Sequence, residues 1–304
     1  MKTRPNIQRS FEHLAQRVFN VPLMIDERKA EVIAAALQQR LGIMKVNRID
    51  GTTLEAAGMQ ALAGDARRSY ENWKPYHADG NIAVIPVDGT LVHKFGYLDP
   101  VSGMTGYDGI ARKIRAARAD AEVKAIWLDV DSPGGEVAGC FALAYEIAKG
   151  AGSEGGKPIW AYVNEQSCSA AYALSCVCDR VYGPEDAVAG SIGSYVMHVD
   201  FTKALDEAGL TVTMIRAGAR KARSGPYEVL DDPARDKLQL WVDDTRERFA
   251  QLVAMGRRLT VDAVMATEAD WFGGAEAAEL GLMDGVMGEQ EAWDRLSWEI
   301  ERNA

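Results

Sequence analysis

The sequence predicts an α/β protein with a mainly parallel sheet and flanking helices, and three observations carry that reading. From Asn81 onward short apolar runs alternate with helical patterns, the order that builds strand-helix-strand units. Several of the runs end in segments rich in glycine and serine, where ligands bind in open α/β sheets. No internal repeat or low-complexity linker interrupts the alternation.

The elements follow in order. Residues 1–79 read as a helical, polar extension. Within it Glu27 to Leu41 sets Ala30, Val32, Ile33, Ala36 and Leu37 on one face, and Gly42 stops the pattern. So narrow an apolar face docks on the main domain or on another subunit. Ile82 to Gly89 is a buried strand ending in a turn. An amphipathic helix around Tyr107 follows, then a strand over Val123–Val130, a helix after Glu136 and a strand over Pro158–Val163. A short apolar helix comes next, from Ser169 to Cys178. Ser194–Asp200 is expected as a strand, Phe201–Leu210 as a helix and Thr211–Arg216 as a further strand. A long amphipathic helix runs from Asp232 to about Arg258, with Leu238, Leu240, Trp241, Phe249 and Leu252 as its apolar positions. Residues 80–288 form the main domain and 289–304 a terminal helix.

Composition limits the function. The 304 residues are 47% hydrophobic, enough for a sizeable core, which excludes disorder and collagen-like folds. With 34 Lys and Arg against 44 Asp and Glu, the net charge of −10 argues against a nucleic-acid partner. No run reaches the ~18 apolar residues of a membrane span, and the N-terminus lacks a signal-peptide core. Four cysteines are too few for a disulfide framework, and the four histidines show no zinc spacing. No metal or cofactor is expected.

Four segments place special residues at strand ends. Asp131-Ser132-Pro133-Gly134-Gly135 follows the strand ending at Val130. Its glycines let backbone N–H groups face outward, as a pocket for a developing oxyanion requires, although a tight turn has the same composition. Ser167-Cys168-Ser169-Ala170-Ala171-Tyr172 puts Ser169 at a helix start, either as an N-cap or as a hydroxyl activated near free amides and surrounded by small residues. Gly190-Ser191-Ile192-Gly193-Ser194 crowds backbone around a hydroxyl, or simply turns. In Ala217–Pro226, Lys221 lies among Arg216, Arg220 and Arg223. Like charges and partial burial both favour a neutral amine there, while a solvated basic loop is the ordinary reading.

A nucleophilic serine needs a base. His198 lies nearest in sequence, 29 residues after Ser169, but has no evident orienting acid. A lysine held neutral serves in a Ser-Lys dyad, and the sequence favours Lys221.

In this order, Ser-Pro-Gly-Gly, Ser-Ala-Ala-Tyr, Gly-Ser-Ile-Gly and Ala-Gly-x-x-Lys resemble peptidase family S49, the signal peptide peptidase A family together with phage head-maturation proteases. The late segment Phe272 to Val286 is similar to the family's closing motif. The resemblance covers about residues 80–288 and implies a crotonase/ClpP-like fold. It implies Ser169 as nucleophile, Lys221 as general base and Ser191 as the residue that orients the lysine. The amide of Gly135 would help form the oxyanion hole, and Gly134, Gly190 and Gly193 would line the substrate site; Ala170, which follows the serine, is a second amide candidate on helix-start grounds alone. Many members have Ser-Gly-Gly-Tyr where this chain has Ser-Ala-Ala-Tyr, which bears on substrate size. Asn20-Val21-Pro22-Leu23 and Met197-His198-Val199-Asp200 resemble the phage branch. That branch implies capsid, scaffold and portal proteins as substrates, a homo-oligomer whose copies complete each other's clefts, and a place in the host cytoplasm and procapsid. It also often carries a C-terminal scaffold extension, for which this sequence leaves little length after the protease region. The alternatives are an inactive assembly protein of this fold, a Ser-His-Asp peptidase using His198, and a crotonase-type acyl-CoA enzyme.

Overall fold

The structure, a computed structural model, describes residues 74–95 and 103–302 and the backbone of three short strands before them. In chain order the strands are β1 (Leu23–Ile25), β2 (Val46–Asn47), β3 (Thr53–Leu54), β4 (His77–Asp79), β5 (Ile82–Asp88), β6 (Thr90–Val92) and β7 (Met104–Gly106). Helix α1 (Tyr107–Ala119) leads to β8 (Ala125–Ser132) and β9 (Gly134–Glu136), and α2 (Cys140–Lys149) to β10 (Ile159–Cys168). Then come α3 (Ala170–Ser175), β11 (Arg180–Gly183), β12 (Val188–Gly190), α4 (Thr202–Glu207), α5 (Asp232–Arg257) and α6 (Val261–Met265). The chain closes with β13 (Trp271–Gly273), α7 (Gly274–Glu279), β14 (Gly285–Val286) and α8 (Glu289–Arg302).

The main sheet runs β13-β12-β10-β8-β5-β4, with β11 and β14 joined at β10. Its centre is parallel, β5 with β8, β8 with β10 and β10 with β12, and its two edges, β4 and β13, are antiparallel. This is the expected α/β class with a mainly parallel sheet and flanking helices. A second sheet, β1-β9-β6-β7, stands beside it.

Strand alternation explains why both faces are apolar. Ile126, Leu128 and Val130 of β8, with Ile159, Ala161 and Val163 of β10, point into the larger core with α1, α2 and α3. Trp127, Trp160 and Tyr162 point the other way, where Ala292 and Leu296 of α8 cover them. Trp127 stacks on Tyr162 with ring centres 5.3 Å apart and meets Trp293 edge-on at 5.2 Å. The terminal helix is thus part of the sheet's cover.

Helix α5 is capped by Asp231, whose carboxylate accepts from the Ala234 amide at 2.8 Å, and proline occupies its first turn. Phe249 and Leu252 of α5 are buried as expected, but Leu240 and Trp241 are exposed. The helix therefore buries mainly its C-terminal half. The expected strands over Ser194–Asp200 and Thr211–Arg216 are absent, apart from an isolated bridge at Tyr195. Among the described residues no strand lies beside either stretch to complete a ladder, and apolar alternation alone cannot hold an unpaired strand. The helix expected over Glu27–Leu41 lies outside the described residues. His77–Asp79 pairs with β5, so the sheet begins just before residue 80.

Candidate functional site

Three parallel strands bring three of the four special segments to one sheet edge. Ser132 at the end of β8, Ser167 near the end of β10 and Ala189 of β12 lie in register, and Cys168 pairs with Gly190. The residues that follow each strand end therefore crowd together at the carboxyl edge.

The Ser132 hydroxyl is buried, donates to the Gly89 carbonyl at 2.6 Å and accepts from the Gly134 amide at 3.2 Å. This turns the chain out of the main sheet into β9. Gly134 has φ of 100° and requires glycine. At Gly135 a Cβ would lie 1.9 Å from the Leu91 carbonyl oxygen, so only glycine lets β9 lie against β6.

Ser169 joins β10 to α3 with φ 56° and ψ −120°, a conformation that costs a non-glycine residue about 1–3 kcal/mol. A serine on such a strained strand-to-helix turn is the arrangement of a nucleophile elbow. Its N–H donates to the Gly190 carbonyl at 2.8 Å, and its side chain makes no capping bond. It is therefore not the ordinary N-cap that the sequence also allowed. The residue is only 1% exposed in the single chain. Ala170 and Ala171 open α3, where the first amides of any helix lack intrahelical partners. The Ser167 and Ser175 hydroxyls, 2.9 Å apart, tie α3 back to β10, and the Tyr172 hydroxyl donates to the Leu282 carbonyl at 2.8 Å.

Ser191 has φ 54°, and its N–H donates to the Asp270 carbonyl at 2.8 Å. Gly190, at φ 120°, would place a Cβ 2.9 Å from the same oxygen, and Gly193 one 2.7 Å from the Ala269 methyl. The chain around Asp270 thus fixes the Gly190-Ser191 turn that holds Ser169, a role no sequence signal marked. Leu91, which backs Gly135, went equally unmarked.

No hydrogen bond or ion pair among the described residues ties Lys221 to this cluster. The lysine is exposed, contrary to the expected partial burial. Two of its three cationic neighbours are paired, Arg216 with Glu228 and Arg223 with Asp231. Those pairs close the loop on itself. The stretch from Phe201 to Val229 leaves Leu210, Val212, Met214, Tyr227 and Val229 exposed, and Ile215 is 96% exposed. His198 sits at 3.3 Å from the Gly225 carbonyl through Nε2, pinning this arm to itself. Asp200, the nearest acid in sequence, is held by Thr202.

Two further side-chain types bear on the chemistry. Burial pushes the Cys140 thiol, which contacts the Ala170 carbonyl at 3.6 Å, up to about 12, so it stays protonated and is no rival nucleophile. Asp88, in register with Asp131, is raised to about 6, first by burial and then by Asp129 and Asp131. No group of three or more His, Cys, Asp or Glu among the described residues is placed to hold a metal ion. No helix among them is long and apolar enough to cross a membrane.

Comparison with known proteins places the chain. It is 35% identical over 98% of its length to "Head-tail preconnector protein GP5" of Enterobacteria phage P21, and spans 59% of that protein. It is 38% identical over 93% of its length to "Capsid assembly protease C" of Escherichia phage lambda, and spans 65% of it. "Protease 4" of Haemophilus influenzae is 29% identical over 71% of this chain. Among solved structures, a ClpP1 mutant from Listeria monocytogenes aligns at TM-score 0.43 and 10% identity, covering 68% of this chain and 92% of that one. The family model described as "Peptidase family S49" matches residues 151–301, which include Ser169, Ser191 and Lys221. The chain carries a peptidase family S49 domain over residues 151–301.

Proposed function

We propose that this chain is a serine endopeptidase that uses Ser169 and Lys221 to cleave capsid, scaffold or portal proteins during procapsid maturation. The observation that carries the reading is the strained, uncapped Ser169 between β10 and α3, held by Gly190 and flanked by the glycine strand β9. The phage relatives, one of them titled a capsid assembly protease, supply the substrate class.

The chemistry runs through this chain's own groups. The Lys221 amine, as the free base, takes the Ser169 proton while Oγ bonds to a peptide carbonyl carbon. The carbonyl oxygen becomes an oxyanion, stabilised by the Gly135 and Ala170 amides. The proton then passes to the departing amine, the C–N bond breaks and an ester remains on Ser169. Water, deprotonated by the same amine, hydrolyses that ester. Ser191 orients the amine through its hydroxyl. Gly134, Gly190 and Gly193 keep the backbone low enough for an extended substrate to approach.

Lys221 reaches this site through association of copies. The arm that carries it is apolar and exposed, a surface suited to burial against another subunit, and burial there would also strip water from the amine. The test is mass spectrometry of capsid and scaffold proteins co-expressed with the wild type or with Ser169→Ala. Cleavage products confined to the wild type support the reading. An identical product pattern, or assembly without any cleavage, favours a non-catalytic assembly protein.

A further inference from the structure

The peptide-docking edge beside Ser169 already has an occupant. Strand β9 offers one side to β6, through Leu91 and Gly135, and the other to β1. That second partner is the chain's own N-terminal segment, antiparallel, with Leu23 opposite Glu136, Met24 opposite Gly135 and Ile25 opposite Gly134. β9 begins two residues after Ser132, which is level with Ser167 in β10, and helix α3 packs against it. The backbone edge that Leu23–Ile25 covers therefore belongs to the strand that carries Gly135, whose amide the proposed function places in the oxyanion hole. That strand packs on the helix opened by Ser169.

An extended peptide binds an open strand edge by adding an antiparallel strand, its N–H and C=O groups bonding the edge. Leu23–Ile25 does this to the two glycines whose lack of side chains leaves the backbone most accessible. A protein substrate laid along β9 needs the same hydrogen-bonding groups. Both cannot use them together.

We propose that Leu23–Ile25 is a built-in competitor for substrate, an extended segment of this chain that holds the β9 edge until a substrate strand displaces it. This rests on the peptidase reading above. The occupant's sequence, Val21-Pro22-Leu23-Met24-Ile25-Asp26, also marks the preferred ligand as an extended, mainly apolar peptide segment.

Full-length variants test it. Successive strand residues direct their N–H groups to opposite edges, so the double change Met24→Pro and Ile25→Pro removes one donor to β9 whichever phase the ladder takes. Hydrogen exchange of residues 134–137 is measured in the full chain and in the double variant, together with the rate at which a serine-reactive phosphonate labels Ser169. If the segment holds the edge about nine-tenths of the time, exchange there quickens and labelling accelerates about tenfold in the variant. A synthetic peptide of residues 20–28 added to the variant should restore protection and slow labelling. Unchanged exchange over 134–137, or slower labelling in the variant while exchange in β8 and β10 is preserved, overturns the proposal and leaves the peptidase reading standing. Exchange that quickens while neither protein ever labels at Ser169 overturns the peptidase reading, and the competitor role with it.

Discussion

At the scale of single residues, the site is a set of backbone constraints that serine and glycine satisfy. Ser169 occupies φ 56° and ψ −120°, where glycine is at ease and alanine is not. Ser169→Gly should therefore be more stable than Ser169→Ala by about 1 kcal/mol in denaturant unfolding, with both inactive. Gly135→Ala should abolish cleavage, because its Cβ would lie 1.9 Å from the Leu91 oxygen and β9 must shift. The check is a near-normal circular dichroism spectrum with turnover lost. Asp88 supplies a pH signature. Its carboxyl is raised to about 6 in the fold against an ordinary 3.8, so ionisation disfavours the folded state and its unfavourable contribution grows as pH rises through that window. Asp88→Asn should gain about 1 kcal/mol over wild type at pH 7.5, allowing for partial solvent screening, and almost nothing at about pH 3, below the ordinary carboxylate value. Denaturant midpoints at the two pH values decide it. Gly134, Gly135 and Gly190 were legible because their backbone positions need glycine, and Ser169 and Ser191 stood out as hydroxyls set among small residues. Asp270 and Leu91 were not legible, since they act through carbonyl oxygens that any residue carries.

At the scale of elements, legibility followed pairing. The strands β5, β8 and β10 read clearly because both their faces are buried and their apolar runs are nearly continuous. Ser194–Asp200 and Thr211–Arg216 have strand-like composition but no partner strand among the described residues, so they stay irregular. The reverse error occurred at the N-terminus. Leu23–Ile25 is a strand only because β9 offers an edge, and three residues carry no periodicity to reveal it. Helix α8 was legible as a helix, but its role in covering Trp127 and Trp160 was not. Leu296→Ala, at a fully buried position, should cost about 2–4 kcal/mol and leave the Ser169 edge intact, as seen by thermal unfolding with unchanged labelling of Ser169 in the cold.

At the scale of the whole molecule, the single chain gathers Ser169, the proposed nucleophile, with its flanking glycines, while Lys221, the proposed base, stays exposed. Gly135, Ser169 and Ser191 meet at one sheet edge, whereas Lys221 rides on an exposed apolar arm. A sequence lays its motifs in a line and does not say which copy of the chain brings each to the centre. Motif order alone therefore suggested Ser169 and Lys221 as neighbours, although no hydrogen bond or ion pair joins them among the described residues. Ile215→Asp puts a charge on a side chain that is 96% exposed, so it should change the stability of the isolated chain by less than about 0.5 kcal/mol. It should nevertheless lower both association, by analytical ultracentrifugation, and cleavage.

The most direct test of the central claim uses a phosphonate that forms a covalent bond with an activated serine. Tryptic mass spectrometry locates the adduct in the wild type, in Lys221→Arg and in an equimolar mixture of Lys221→Arg with Ser169→Ala. The account predicts an adduct on Ser169 in the wild type, none in Lys221→Arg alone, and labelling recovered in the mixture, where one copy supplies the serine and the other the lysine. An adduct that forms equally fast without Lys221, or on a residue other than Ser169, contradicts it.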